Sequence, residues 1–134
     1  MDFIKENADS AHLAYLGDAV WEVLVRRHLV GRGDPQPSET ALGYVTAQAQ
    51  SDAVERILPH LTEEEAAVYR RGRNCVHANV PRHATVMQYR RATGLEALFG
   101  YLELTGARER MAELFALAYI EEGTTDQTDR KSVV

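Results

Sequence analysis

Two stretches of the chain pair an acid with a glycine among apolar residues. The first is LAYLGDAVWEVLVRR, residues 13–27, where Asp18 follows Gly17 and Glu22 stands four residues on. On a helix that spacing sends Asp18 and Glu22 off one face. The second is TGLEALFGYLELTG, residues 93–106. There Glu96, Gly100 and Glu103 share one helix face, opposite Leu95, Leu98, Phe99 and Leu102. A carboxylate in apolar company is exposed, paired with arginine, or binding a cation. Gly17 in mid-helix costs about 1 kcal/mol against alanine, which points to close approach of a second helix. Two helices that each carry a glycine and an acid can cross closely and bring Asp18 and Glu96 together. Two carboxylates with water suit an octahedral Mg²⁺. The plainer alternatives are a salt bridge from Asp18 to Arg26 or Arg27, and acids that merely face solvent.

A different chemistry is written in YRRGRNCVHANVPRHATVMQYRRATG, residues 69–94. The chain has a formal net charge of −5, which on its own discourages a nucleic-acid partner. The distribution reverses that impression. Residues 1–69 sum to −7 and residues 96–134 to −4, whereas residues 70–95 carry six arginines and no acid. These are Arg70, Arg71, Arg73, Arg82, Arg90 and Arg91, with Asn74, His77 and His83 among them. A local cationic block on an acidic chain is a footprint for a polyanion. The planar fork of arginine donates two hydrogen bonds to one phosphate. Tyr69 and Tyr89 flank the block and could stack or bond to sugars. The alternatives are a solvated face and, for Arg70, Arg71 and Arg73, contact with a helix C-terminal dipole. His77 and His83 are too irregularly spaced for a metal pair, and Cys75 reads as an inert thiol.

The elements that must position these residues are helical nearly throughout. Ser10 is the expected N-cap of a helix over about 11–30, with Leu13, Leu16, Val20, Val23, Leu24 and Val30 as its buried stripe and Gly31 and Gly33 at its end. After the loop GRGDPQPS, Ser38 is expected to cap a second helix reaching Leu58, before Pro59. Thr62 and Glu65 form a capping box that starts a third helix, ending near Asn74. CVHANVPRH reads as irregular. A fourth helix covers about 84–105, with Gly94 a point where it could bend, and Gly106 is its stop signal. A fifth spans about 107–121. The polar tail 123–134 lacks any period and is expected to be disordered. The expected fold is all-α, one domain over residues 1–122, with five to seven helices. The 134 residues leave no room for a second domain and suffice for a core of their own. The single Cys75 excludes an intramolecular disulfide and a multi-cysteine zinc site. The N-terminus has neither the basic nor the apolar region of a signal peptide, and no apolar run is long enough to span a membrane. The default expectation is a cytoplasmic protein with no membrane partner.

LAYLGDAVWEVLVRRHL resembles the signature helix of ribonuclease III, with its leucine-glycine-aspartate-alanine core. TGLEALFGYLELTG resembles the second catalytic helix of that family. RRGRN, a short loop, and then YRRATGLEALFGYL resemble the Mini-ribonuclease III branch more closely still. The likeness runs from about residue 10 to 122 and rests on two motifs in the right order plus the RRGRN block. It implies an all-helical ribonuclease III endonuclease-type fold, a homodimer, and Mg²⁺-dependent endonucleolytic cleavage of double-stranded RNA to 3′-hydroxyl and 5′-phosphate ends. It also implies maturation of 23S (large-subunit) ribosomal RNA precursor, with a ribosomal protein that presents the substrate as a candidate partner. By match to the motifs, Asp18 and Glu96 are the catalytic metal ligands. The arginines, with Asn74, would grip phosphates. The sequence departs from ribonuclease III where that family has two further acids, here Ala14 and Thr93. That leaves Glu22 as a candidate outer-shell acid, and it leaves open a non-catalytic RNA-binding or ribosome-associated module on the same fold. A helical dimerisation protein with no nucleic-acid role is a third class, set apart by the acid-free block.

Overall fold

The computed structural model describes residues 9–75 and 84–119. Every regular element among them is helical. Helix α1 runs over Ser10–Gly31. Its N-cap is Asp9, whose carboxylate accepts from the His12 backbone N–H at 2.8 Å, so Ser10 falls inside the first turn. A carboxylate at the positive end of a helix is the stronger acceptor. The loop that follows is built on Asp34, whose carboxylate accepts from the Gln36 backbone N–H at 2.8 Å and the Thr40 hydroxyl at 3.0 Å.

The single helix expected from Ser38 to Leu58 is three segments: α2 over Pro37–Thr40, α3 over Leu42–Val45 and α4 over Ala47–Ile57. Thr46 divides them. Its backbone is extended, and its hydroxyl accepts from the Ala49 N–H at 3.2 Å to cap α4. A β-branched residue that caps so readily favours a new start over continuation. Pro59 lies in a 3₁₀ turn over Leu58–His60. Helix α5, Glu63–Arg73, begins with the expected Thr62–Glu65 capping box. Helix α6, Val86–Leu104, begins with a second box, Thr85–Gln88. Gly94 does not break α6; the helix continues through it without a cap or turn. Gly106 supplies the left-handed stop at φ +74°, and α7 follows over residues 108–119.

Helix α6 is the central element, packed against α1, α4 and α5. That role explains why it is apolar or small almost all round. Leu95, Leu98, Phe99 and Leu102 are buried, as their spacing requires. The buried stripe of α1 differs from the expected one. It consists of Leu13, Ala14, Gly17, Trp21, Val25 and Leu29, while Val23 and Val30 are exposed. Trp21 sets this phase. Its ring stands edge-on to Phe99 at 5.0 Å, and its indole N–H donates to the Tyr44 carbonyl at 2.9 Å. Arg110, on α7, fastens that helix to α5 through two 2.8 Å bonds to Glu65, and to the 3₁₀ turn before it through one of 2.7 Å to the His60 carbonyl. No helix among the described residues is long and apolar enough to cross a membrane. Residues 76–83, with Arg82, His77 and His83, lie outside the described residues, as does the tail 123–134.

Candidate catalytic site

The site begins with the crossing of α1 and α6. A Cβ placed on Gly17 would overlap the Glu96 carbonyl, and one placed on Gly100 would overlap the Leu13 carbonyl. Each glycine therefore receives the backbone of the opposite helix, and no larger residue fits at either. This reciprocal contact seats Asp18, the residue after Gly17, beside the Glu96 side chain. The two carboxyl groups are close enough to share a hydrogen bond.

Their surroundings are unequal. Asp18 is exposed and Glu96 half-buried. Burial pushes the Glu96 carboxyl up to about 8, and the charge of Asp18 adds to the rise. A hydrogen bond from the Gln50 side chain opposes it. A glutamate held protonated near neutral pH by desolvation and a like charge marks a site that lacks a positive charge. Among the described residues no third acid, histidine or cysteine joins the pair in a metal-binding group. At the two positions where ribonuclease III carries further acids, Ala14 is buried against α6, and Thr93 donates its hydroxyl to the Tyr89 carbonyl at 2.9 Å. Glu22, one turn from Asp18, accepts from Arg26 at 3.2 Å. Asp18 itself has no arginine partner among the bonds described, so the expected alternative of a salt bridge to Arg26 or Arg27 is not seen.

The arginine block is only partly a free surface. Arg70 and Arg71 in the last turn of α5, and Arg90 on α6, are exposed. Arg73 lies over the Tyr69 ring at 5.8 Å and donates to the Asn74 side chain at 3.2 Å. Arg91 is held by Glu55 at 3.0 Å and by Ser51 at 3.5 Å. Tyr69 is buried, with its ring where a Cβ on Gly94 would stand, so it cannot stack on a nucleic acid. Cys75 is half-buried.

Gln50, which the motifs of the sequence do not single out, also reaches Glu96. It is 3% exposed in the first turn of α4, and it falls on that helix's buried stripe with Ala53, Val54 and Ile57. An amide on an otherwise apolar stripe is the signal that could have found it.

The "Ribonuclease III domain" family matches residues 11–107. A crystal structure of a Fusobacterium nucleatum protein superposes with a TM-score of 0.79 at 29% identity, covering 90% of this chain and 98% of that one. The chain belongs to the ribonuclease III family, and it is an endoribonuclease. Similarity within the family is narrower. The Mini-ribonuclease 3 of Symbiobacterium thermophilum is 44% identical over 116 residues, 83% of this chain and 89% of that protein. The Mini-ribonuclease 3 of Brevibacillus brevis is 43% identical over 110 residues, 80% and 82% of the two chains. That of Enterococcus faecalis is 41% identical over 120 residues, 86% and 91%. The branch in which this chain falls is Mini-ribonuclease 3.

Proposed function

We propose that this endoribonuclease cuts double-stranded RNA with the help of Mg²⁺, acting as a homodimer in the cytoplasm on a 23S ribosomal RNA precursor. The observation that carries the chemistry is the glycine-mediated crossing that sets Asp18 beside Glu96. Two carboxylates that repel one another form a donor set short of one positive charge, and a divalent cation with water in its other positions fits it. Asp18 and Glu96 would hold that cation. Bound there, Mg²⁺ would supply Lewis-acid stabilisation of the charge that builds on the scissile phosphate. Glu96 must give up its proton for this role, and the exposed Asp18 faces the solvent from which the substrate arrives.

Arg70, Arg71 and Arg90 are exposed to meet phosphates, and Arg73 and Asn74 border them. Contacts of this kind read A-form shape more than sequence. Replacing Arg70, Arg71 and Arg73 together by alanine should weaken binding to all duplexes and lower the log–log salt slope by about two to three units. Cutting both strands calls for two centres related by a two-fold axis, and a C₂ dimer provides them. The exposed apolar side chains of α1, with Tyr15 at 84% and Val23 at 52%, support such an assembly. A ribosomal protein that presents the substrate would be a further partner.

The second reading, a non-catalytic RNA-binding module, draws on Ala14 and Thr93 in place of acids. One experiment separates the two: incubation of duplex RNA with the protein, with and without Mg²⁺. Cleavage only with Mg²⁺ is expected. Binding without cleavage under both conditions would favour the module.

A further inference from the structure

Four polar or charged side chains among the described residues are more than nine-tenths buried: Gln50, Ser51, Glu65 and Thr93. Three have partners of structural kind. Ser51 accepts from Arg91, Glu65 is held by Arg110 and the Thr62 N–H, and Thr93 bonds its own helix. The fourth, Gln50, donates from α4 to the Glu96 carboxylate. Its backbone N–H is already used by the Thr46 carbonyl at 2.9 Å, so the side chain is what α4 contributes to the site. The choice of an amide has a consequence. Arginine or lysine at position 50 would neutralise the carboxylate pair and compete with a cation. An amide orients one carboxylate oxygen and leaves the negative charge available.

We propose that Gln50 is a positioning residue of this site, an amide clamp from α4 that fixes the Glu96 carboxylate in the orientation in which it and Asp18 take up a divalent cation. The inference rests on the reading of Asp18 and Glu96 as the cation-holding pair.

The test is a Mg²⁺ titration of the RNA-free protein by calorimetry, alongside the Mg²⁺ dependence of duplex cleavage. Gln50→Met keeps the length and burial of the side chain and removes the donor. Ser51→Ala, its neighbour on the same helix, removes a buried polar group that does not touch Glu96. For Gln50→Met the half-saturating Mg²⁺ concentration should rise by roughly 10- to 100-fold in both measurements. Duplex binding without Mg²⁺ should be unchanged. Ser51→Ala should leave the Mg²⁺ dependence at the wild-type value. Should Gln50→Met fail to fold, Gln50→Asn keeps the polarity but stops one methylene short, and the same rise is expected. A Mg²⁺ half-saturation in the folded Gln50 variant within twofold of wild type, or an equal rise in Ser51→Ala, overturns the proposal. A wild-type protein that neither takes up Mg²⁺ nor needs it to cleave overturns the underlying reading, and this inference with it.

Discussion

Glu65 and Glu96 are both withdrawn from water at helix contacts, and their surroundings differ in sign. Glu65 meets the Arg110 guanidinium through two 2.8 Å bonds and accepts from the Thr62 N–H at 2.9 Å. The arginine hydrogen bonds hold its carboxyl below the ordinary glutamate range. Glu96 meets Asp18, a like charge, and is pushed up to about 8. One carboxylate is satisfied within the fold and locks α7 to α5. The other is left wanting a cation or a proton, at the place where two backbones touch through glycines. A protein tolerates such local conflict where it is used, which is the ground for proposing a site at Glu96 and none at Glu65.

The largest effect expected is at Asp18. Asparagine keeps the shape and removes the charge, so Asp18→Asn should retain fold and RNA binding while cleavage falls roughly a thousandfold or more. Glu96→Gln should match it, and the double variant should lose little more, since in the proposed site both act through one ion. Folded Asp18→Asn protein that cuts duplex RNA at near wild-type rate would erase the distinction between the two glutamates. Next comes the crossing itself. Gly17→Ala puts a methyl group into the Glu96 carbonyl, a backbone atom that cannot rotate away. It should destabilise the protein by about 3 kcal/mol or more. Gly31→Ala, where a Cβ meets nothing within 4 Å, is the control and should be neutral in thermal melts.

The same contrast shows what the sequence could disclose. The meeting of Asp18 and Glu96 is legible because each is paired with a glycine at helical spacing, and a mid-helix glycine among leucines is hard to explain except by close approach. The Thr62–Glu65 box is legible because it is local, and Thr85–Gln88 is a second box of the same local kind. The clamp from Arg110 was not legible, since it joins residues 45 apart. The phase of α1 was missed because Trp21, Val25 and Leu29 define a stripe only once Trp21 is seen against Phe99. Tyr69 looked like a stacking residue until α6 placed Gly94 beneath its ring. Arg91 looked free until α4 supplied Glu55. At Arg110, Trp21, Tyr69 and Arg91 a partner far along the chain decides the role.

Arg110→Met carries the third effect. It leaves Glu65 buried without its cation, and loss of one partner of a buried pair is strongly destabilising. Arg110 retains some solvent access, so about 2–3 kcal/mol is expected, read from denaturant midpoints. Cleavage per folded molecule should be unchanged, because no bond of Arg110 reaches Asp18 or Glu96. A lowered turnover in the folded fraction would tie the clamp to the site and break the comparison.

The smallest effect is the most diagnostic. In the folded, metal-free protein Glu96 binds its proton more tightly than in the unfolded chain, at about 8 against 4.5. Its contribution to stability is therefore fully present below about pH 4.5 and is lost as pH rises toward 8. Glu65 runs the other way. Its lowered value gives stability that is present above the ordinary glutamate range and lost on acidification. Glutamine mimics a protonated glutamate and does not titrate, so each variant subtracts every other group from the profile. Glu96→Gln should lie close to wild type near pH 5 and exceed it near pH 8, by about 4 kcal/mol at most and nearer ~2 kcal/mol once the partial exposure of Glu96 is allowed for. Glu65→Gln should approach wild type in acid and fall below it at neutral pH. Mg²⁺ added at pH 8 should close the gap for wild type against Glu96→Gln and leave that of Glu65→Gln untouched, because a cation replaces the missing proton only at the Asp18–Glu96 pair. Melting curves at pH 5 and pH 8, with and without Mg²⁺, measure all of these differences. Parallel profiles for the two glutamine variants would mean that the two carboxylates are held alike.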